Sequence, residues 1–184
     1  KYMFPKAHAA AYVMMGWRVA WFKVHKPLAY YAAYFGIRAS AFSYEIMCRG
    51  KERLDIALSD LLKTPKDQQT KKDQDTIRDG RIAQEMYARG FTFMPIDIYK
   101  AKARECQIID GKIMPPLSSV EGLGDKACEQ VEEAAKHGPF TSLENFRNQA
   151  KVSKTNVDKM VELGILTGLP ETDQLTFDFF MTQG

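Results

Sequence analysis

Val120-Glu121-Gly122-Leu123-Gly124-Asp125-Lys126-Ala127-Cys128 constrains the fold more than any other stretch of this chain. Two glycines around one leucine permit a tight turn, and they let the backbone approach another group with no Cβ in the way. Leu123 is the residue that packs such a turn into a core. The small and apolar residues on either side predict helix, hairpin, helix across 117–137. The helix from Asp125 would aim free N–H groups and its positive dipole end at whatever faces the turn, an arrangement that suits an anion. Gly122, Leu123, Gly124 and Lys126 are therefore candidate ligands for the phosphates of duplex DNA, with Lys126 supplying charge from the first helical turn. Such a grip ignores base sequence and weakens with salt. The alternative is a plain glycine-rich turn between helices, with Asp125 as a cap.

Proline and glycine punctuate the rest. Pro5 can open a helix over 5–24, since its missing N–H costs nothing in a first turn. That helix is rich in Ala, Met and aromatics and apolar on most sides, which predicts burial. Pro27 starts a second helix over 28–35, with Gly36 just beyond its end. The pairs Tyr30/Tyr34 and Tyr31/Phe35 are four apart and share faces. Further helices are expected at 51–63 and about 74–89, separated by the polar stretch 64–73, read as a mobile loop. Gly90 ends the second of them. Residues 106–109 and 112–114 around Asp110-Gly111 predict a hairpin with a type I′ turn. Pro115-Pro116 marks a joint. Thr141-Ser142-Leu143-Glu144 has capping-box spacing and opens another helix. Ser153 caps one that runs to Leu163, with Gly164 beyond it, and Gly164-Ile165-Leu166 would be a degenerate second hairpin. The fold class expected is mainly α with a small β-hairpin, followed from Pro170 by an aperiodic, flexible C-terminal tail.

An apolar fraction of 45% in 184 residues is enough to bury a core. There is no apolar run of about 18 residues, so no membrane partner is expected. Cys48, Cys106 and Cys128 are odd in number and far apart. They offer no disulfide framework and no zinc spacing, and suit a reducing cytoplasm. With no initiator Met or signal peptide, and Lys1 already inside a patterned segment, a piece of a longer polypeptide is expected. The net charge is only +3, but residues 1–44 carry six Lys or Arg and no acid. The last seventeen residues carry Glu171, Asp173 and Asp178 and no base. A basic segment with a detached acidic tail fits nucleic-acid or nucleotide contact at one end. The alternative is that dispersed cations merely solvate a helix face.

Two other segments carry chemistry. Lys6 and His8 stand in the first turn of the opening helix, where the dipole favours an anion. His8 and Tyr12 share a face. A triphosphate beside Lys6 and His8, with a base near Tyr12, is a workable arrangement; packing or solvation explains these residues equally well. Near the terminus, Gln174-Leu175-Thr176-Phe177-Asp178-Phe179 has the form Gln-Leu-x-apolar-x-Phe. The Gln174 amide can bond at the edge of a pocket, Leu175 and Phe177 can fill its floor, and Phe179 an adjoining subsite. Apolar anchors of this kind are each worth roughly 1.5–3 kcal/mol. The alternative is a terminal strand packed on its own domain.

Taken with Tyr2-Met3-Phe4-Pro5-Lys6-Ala7-His8-Ala9-Ala10-Ala11-Tyr12, Phe22-Lys23-Val24-His25-Lys26-Pro27-Leu28, Arg89-Gly90-Phe91, Ile96-Asp97-Ile98-Tyr99 and Leu169-Pro170, these motifs run through the whole chain. In order and spacing the chain resembles the C-terminal part of PolC-type DNA polymerase III alpha subunits. The resemblance implies that 1–100 is the C-terminal part of the fingers, with Phe4, Lys6, His8 and Tyr12 near the incoming dNTP. It implies that 101–168 is a helix-hairpin-helix duplex-binding domain. It implies that 169–184 is a tail whose Gln174, Leu175, Phe177 and Phe179 dock on the beta sliding clamp. Partners would be primer-template DNA, dNTP, the clamp and the palm, thumb and exonuclease parts of the same polymerase, in a cytoplasmic, nucleoid-associated replisome. No catalytic or metal-ligating residue is expected here and no cofactor bound by this segment. The family's Mg²⁺ ions are held by palm carboxylates, and Asp97 in Pro95-Ile96-Asp97-Ile98-Tyr99 is a single carboxylate. This segment alone is expected to be inactive. Two other readings remain open: a non-enzymatic helix-hairpin-helix adaptor that recruits the clamp, and a helical interaction domain whose turn and tail are only structural.

Overall fold

The computed structural model describes residues 5–173. Phe4 and the Gln174–Phe179 motif lie outside them. Among the described residues the fold is mainly helical. Its helices are α1 (Lys6–His25), α2 (Pro27–Ala33), α3 (Lys51–Lys63), α4 (Lys71–Ala88), α5 (Asp125–Ala135), α6 (Leu143–Ala150) and α7 (Lys154–Glu162). Strands β1 (Gln107–Ile109) and β2 (Lys112–Met114) form the expected antiparallel hairpin, with Ile108 opposite Ile113. Its turn residues, Asp110 and Gly111, have φ of 49° and 73°, the positive values that a type I′ turn requires at both positions.

Two buried clusters organise these elements. The first gathers Tyr31, Phe35, Met47, Leu54, Leu58, Met86, Phe93 and Ile113. The second gathers Tyr44, Ile96, Ile98, Met114, Leu117, Leu123, Val131, Phe146 and Met160. Ile113 and Met114 are neighbours in β2, and successive strand side chains face opposite ways, so one strand serves both clusters. The chain at Thr92 and Met94 lies against the same strand, through Ile113 N–H to Thr92 O (3.1 Å) and Met94 N–H to Ile113 O (2.9 Å).

Asp79 of α4 is the polar centre of the first cluster, and it has no exposed surface. Its carboxylate accepts from Tyr34 Oη (2.8 Å), the N–H groups of Ser40 and Ala41 (both 2.9 Å) and Arg78 Nε (2.9 Å). Burial would raise its pKa, but the Arg78 guanidinium and these donors hold it below the ordinary carboxylate value. The 39–41 connection is thereby pinned to α4.

Several local expectations are revised. α1 was expected to be buried, yet it has no buried residue, and Trp17 is 77% exposed. Its apolar surface is largely uncovered among the described residues, and its C-terminal end is tied to α4. There Lys23 Nζ bonds Glu85 at 2.7 Å and Arg89 donates to Lys23 O at 2.9 Å. Gly36 does not follow a helix end but sits inside a wide π turn, Tyr34–Arg38. A second π turn covers Tyr44–Cys48. α4 starts at Lys71, inside the expected loop, because Thr70 and Asp73 make a reciprocal capping box. Ser142, not Thr141, caps α6, accepting from Asn145 N–H at 3.0 Å. Ser153 caps α7 as expected.

Asp79→Ala is expected to lower stability by about 2–4 kcal/mol, because it strands the half-buried Tyr34 hydroxyl and two N–H groups. The folded-state pKa of Asp79 is depressed, so its contribution is complete above the unfolded value of about 3.9 and is lost as pH falls through the folded value. Urea denaturation of wild type and variant from pH 7 to pH 2 checks both points: the difference should be largest at pH 7 and shrink in acid.

Candidate nucleic-acid interface

The sequence between Pro115 and Cys128 folds into a short helical turn, a hairpin and α5. The first helix of the expected motif is only a 3₁₀ turn, Leu117–Ser119. Pro116 has no N–H to continue a longer helix, and its carbonyl is taken by Ser119 through N–H (3.1 Å) and Oγ (2.6 Å). Val120 O then accepts from Leu123 N–H at 3.2 Å, which closes the turn. Val120 and Leu123 are buried in the second cluster, while Glu121, Gly122 and Gly124 are exposed. Cys128 is fully buried and its thiol donates to Leu123 O at 3.5 Å. Burial pushes that thiol up to about 11, so it is packing material rather than a nucleophile.

The backbone treats the two glycines differently. Gly122 has φ of 86°, a left-handed backbone that side chains resist. Gly124 has φ of −68° as N-cap of α5, which any residue can adopt. At both positions a Cβ would meet nothing within 4 Å. The fold itself therefore gives no reason for glycine at 124.

α5 has no side-chain cap, unlike α4, α6 and α7, which Thr70, Ser142 and Ser153 cap. Its first intrahelical bond is Cys128 N–H to Gly124 O at 3.0 Å. Among the described residues, the N–H groups of Gly124, Asp125, Lys126 and Ala127 have no acceptor, so they and the dipole face outward beside the turn. Lys126 is exposed in that first turn. Asp125 is the first helical residue rather than the cap, and lies 3.4 Å from Arg104 Nη2. The structure thus brings Gly122, Gly124 and Lys126 to one surface, with Leu123 behind them as the anchor.

Gly164-Ile165-Leu166 does not form a second such site. Gly164 (φ 75°) ends α7 through its N–H to Val161 O and Ile165 N–H to Met160 O, both 2.9 Å. The chain then returns to α6, where the carbonyls of Pro170 and Glu171 accept from Leu143 and Glu144 N–H at 2.9 and 3.1 Å. The start of the expected tail is therefore bonded to α6, and the N-terminus of α6 is already satisfied.

At the other end of the chain, α1 begins after Pro5 with no side-chain cap and no acid in its first turn. Lys6, His8 and Tyr12 are exposed there, and the His8 and Tyr12 rings lie 4.5 Å apart. They share a face as their spacing predicts. No group of three His, Cys, Asp or Glu side chains among the described residues is placed to hold a metal ion. No helix among them is long and apolar enough to cross a membrane.

Residues 90–174 match the helix-hairpin-helix motif family. Over 183 residues, 98% of this chain, the sequence is 44% identical to the DNA polymerase III PolC-type of Streptococcus pyogenes serotype M1. The serotype M5 (strain Manfredo) and serotype M2 (strain MGAS10270) proteins match to the same extent. In each case the match spans 12% of the relative. The chain is homologous to a segment of PolC-type DNA polymerase III that contains a helix-hairpin-helix motif.

Gly122→Ala is expected to cost about 1–2 kcal/mol of stability, the penalty for a left-handed L-residue. Gly124→Ser should leave stability unchanged or slightly raised, since serine is a good N-cap. Equal losses in guanidinium titrations of the two variants would show that the fold itself demands glycine at 124.

Proposed function

We propose that this chain is part of a replicative DNA-directed DNA polymerase, adding dNTPs to a primer 3′ end, and that its turn at 120–124 holds duplex backbone. The observation that carries the reading is the outward-facing, uncapped N-terminus of α5 beside two glycines whose Cβ positions are open. Homology to a segment of PolC-type polymerases supports it. Gly122 and Gly124 would let a phosphate reach the N–H groups of the turn and of α5, Lys126 would add charge, and Leu123 would keep the turn rigid. The contact is to phosphate, so it positions DNA without reading sequence.

In the same reading, 1–100 is the C-terminal part of the fingers, and Lys6, His8 and Tyr12, with Phe4 just before them, face the incoming nucleotide. The domain 101–168 holds duplex, and Gln174, Leu175, Phe177 and Phe179 in the tail dock on the beta sliding clamp. Palm, thumb and exonuclease belong to the parent enzyme, which works in the cytoplasm at the replisome. On this reading the segment contributes positioning and charge compensation.

The test is duplex binding by fluorescence anisotropy across a salt series. Affinity should fall with salt at about 0.9 log unit per log unit for each phosphate held. Gly122→Val/Gly124→Val should abolish binding. Gly124→Ser should weaken it about tenfold, because its hydroxyl takes one of the N–H groups that a phosphate would use. Binding that ignores both glycines would remove the duplex-holding role.

A further inference from the structure

The glycine turn lies between two acids. Glu121 immediately precedes Gly122, and Asp125 immediately follows Gly124; both are exposed. A carboxylate beside a phosphate site repels the phosphate, so either acid left alone would work against the donors described above. Neither is left alone, and neither partner comes from the hairpin. Lys72, in the first turn of α4, places Nζ 2.6 Å from Glu121 Oε1. Arg104, from the connection before β1, places Nη2 3.4 Å from Asp125 and 2.8 Å from Glu129. That connection is itself held on α5, where Glu132 accepts from Ala103 N–H at 2.6 Å and Lys102 Nζ at 3.1 Å.

We propose that Lys72 and Arg104 are positioning residues for phosphate binding, cancelling the charge of Glu121 and Asp125 so that a DNA phosphate can enter the turn. This inference rests on the reading of the turn as a phosphate grip. The role is electrostatic rather than architectural: Lys72 and Glu121 are 75% and 63% exposed on their side chains, and exposed pairs contribute little to stability. The Lys72 hydrogen bond also lowers the Glu121 pKa, so the acid is charged whenever DNA would meet it. Lys159 of α7 bears on Glu121 as well, but it is engaged by Glu45 Oε1 at 3.4 Å. The charge that neutralises Glu121 beside Gly122 is thus supplied by Lys72, forty-nine residues from Glu121 in sequence.

The Lys72–Glu121 pair gives the clean test, since Arg104 also serves Glu129. Duplex-DNA anisotropy on the 184-residue chain would compare wild type, Lys72→Ala, Lys72→Arg, Glu121→Gln and Lys72→Ala/Glu121→Gln. Charge cancellation predicts opposite signs. Lys72→Ala should weaken binding about three- to tenfold at low salt and less as salt screens the exposed carboxylate. Glu121→Gln should bind as well as wild type or tighter, the double variant should recover most of the loss, and Lys72→Arg should retain affinity. Melting temperatures should stay level throughout. If Glu121→Gln weakens binding as much as Lys72→Ala, the pair is a tether and the inference falls while the phosphate grip stands. If the glycine variants bind duplex like wild type, the grip itself falls and the inference with it.

Discussion

The buried side chain of Leu123 fixes the candidate interface. A turn built from glycines has little stiffness of its own, because glycine restricts the backbone least. Here the one residue between the glycines is driven into the second cluster, and Val120 enters the same cluster from the preceding turn. With Leu123 inside, Gly122 and Gly124 can only face out. α5 starts immediately afterwards, so its unpaired N–H groups are aimed by the same anchor. The apolar core thereby sets where the polar chemistry lies. On the proposed reading the orientation would be in place before a phosphate arrived, which lowers the ordering cost of binding.

The two clusters depend on each other through β2 and through charge. Ile113 and Met114 divide one strand between them, so a shift of register would disrupt both. Glu45 with Lys159, and Lys72 with Glu121, join the first half of the chain to the second across its surface. The exposed Lys72–Glu121 pair carries little energy, but it decides which charge stands beside the glycine turn. Asp79 does the heavier structural work by making the 39–41 connection part of the α4 surface.

Much of this was legible in the sequence, because the decisive signals are local. Pro27, Ser153, Asp110-Gly111 and Gly122-Leu123-Gly124 each act on their own neighbours through a cap, a turn type or a permitted φ. The departures also have local causes. Thr70 outweighed the polar look of 64–73, and Ser142 outcompeted Thr141 because only its hydroxyl reaches the N–H three residues on. What sequence reasoning missed is long-range. Nothing near Asp79 announces that Tyr34, Ser40 and Ala41 will converge on it. Nothing near Glu121 points to Lys72. Charge counting around the glycines would have posed the question of the second without answering it.

The opening helix shows the limit of periodicity as a guide. A helix that is apolar on most sides is ordinarily a buried one, and α1 meets that description while its Tyr12, Met14, Met15, Trp17, Val19 and Val24 stand exposed. The inference from hydrophobicity concerns what such a surface requires, not which chain supplies it. The relatives are about eight times longer than the stretch they share with this chain, given that the match spans 12% of each. On the polymerase reading, the surface of α1 is made for another part of the same enzyme. Its anchored end, at Lys23, Glu85 and Arg89, would then fix the direction in which Lys6, His8 and Tyr12 are presented.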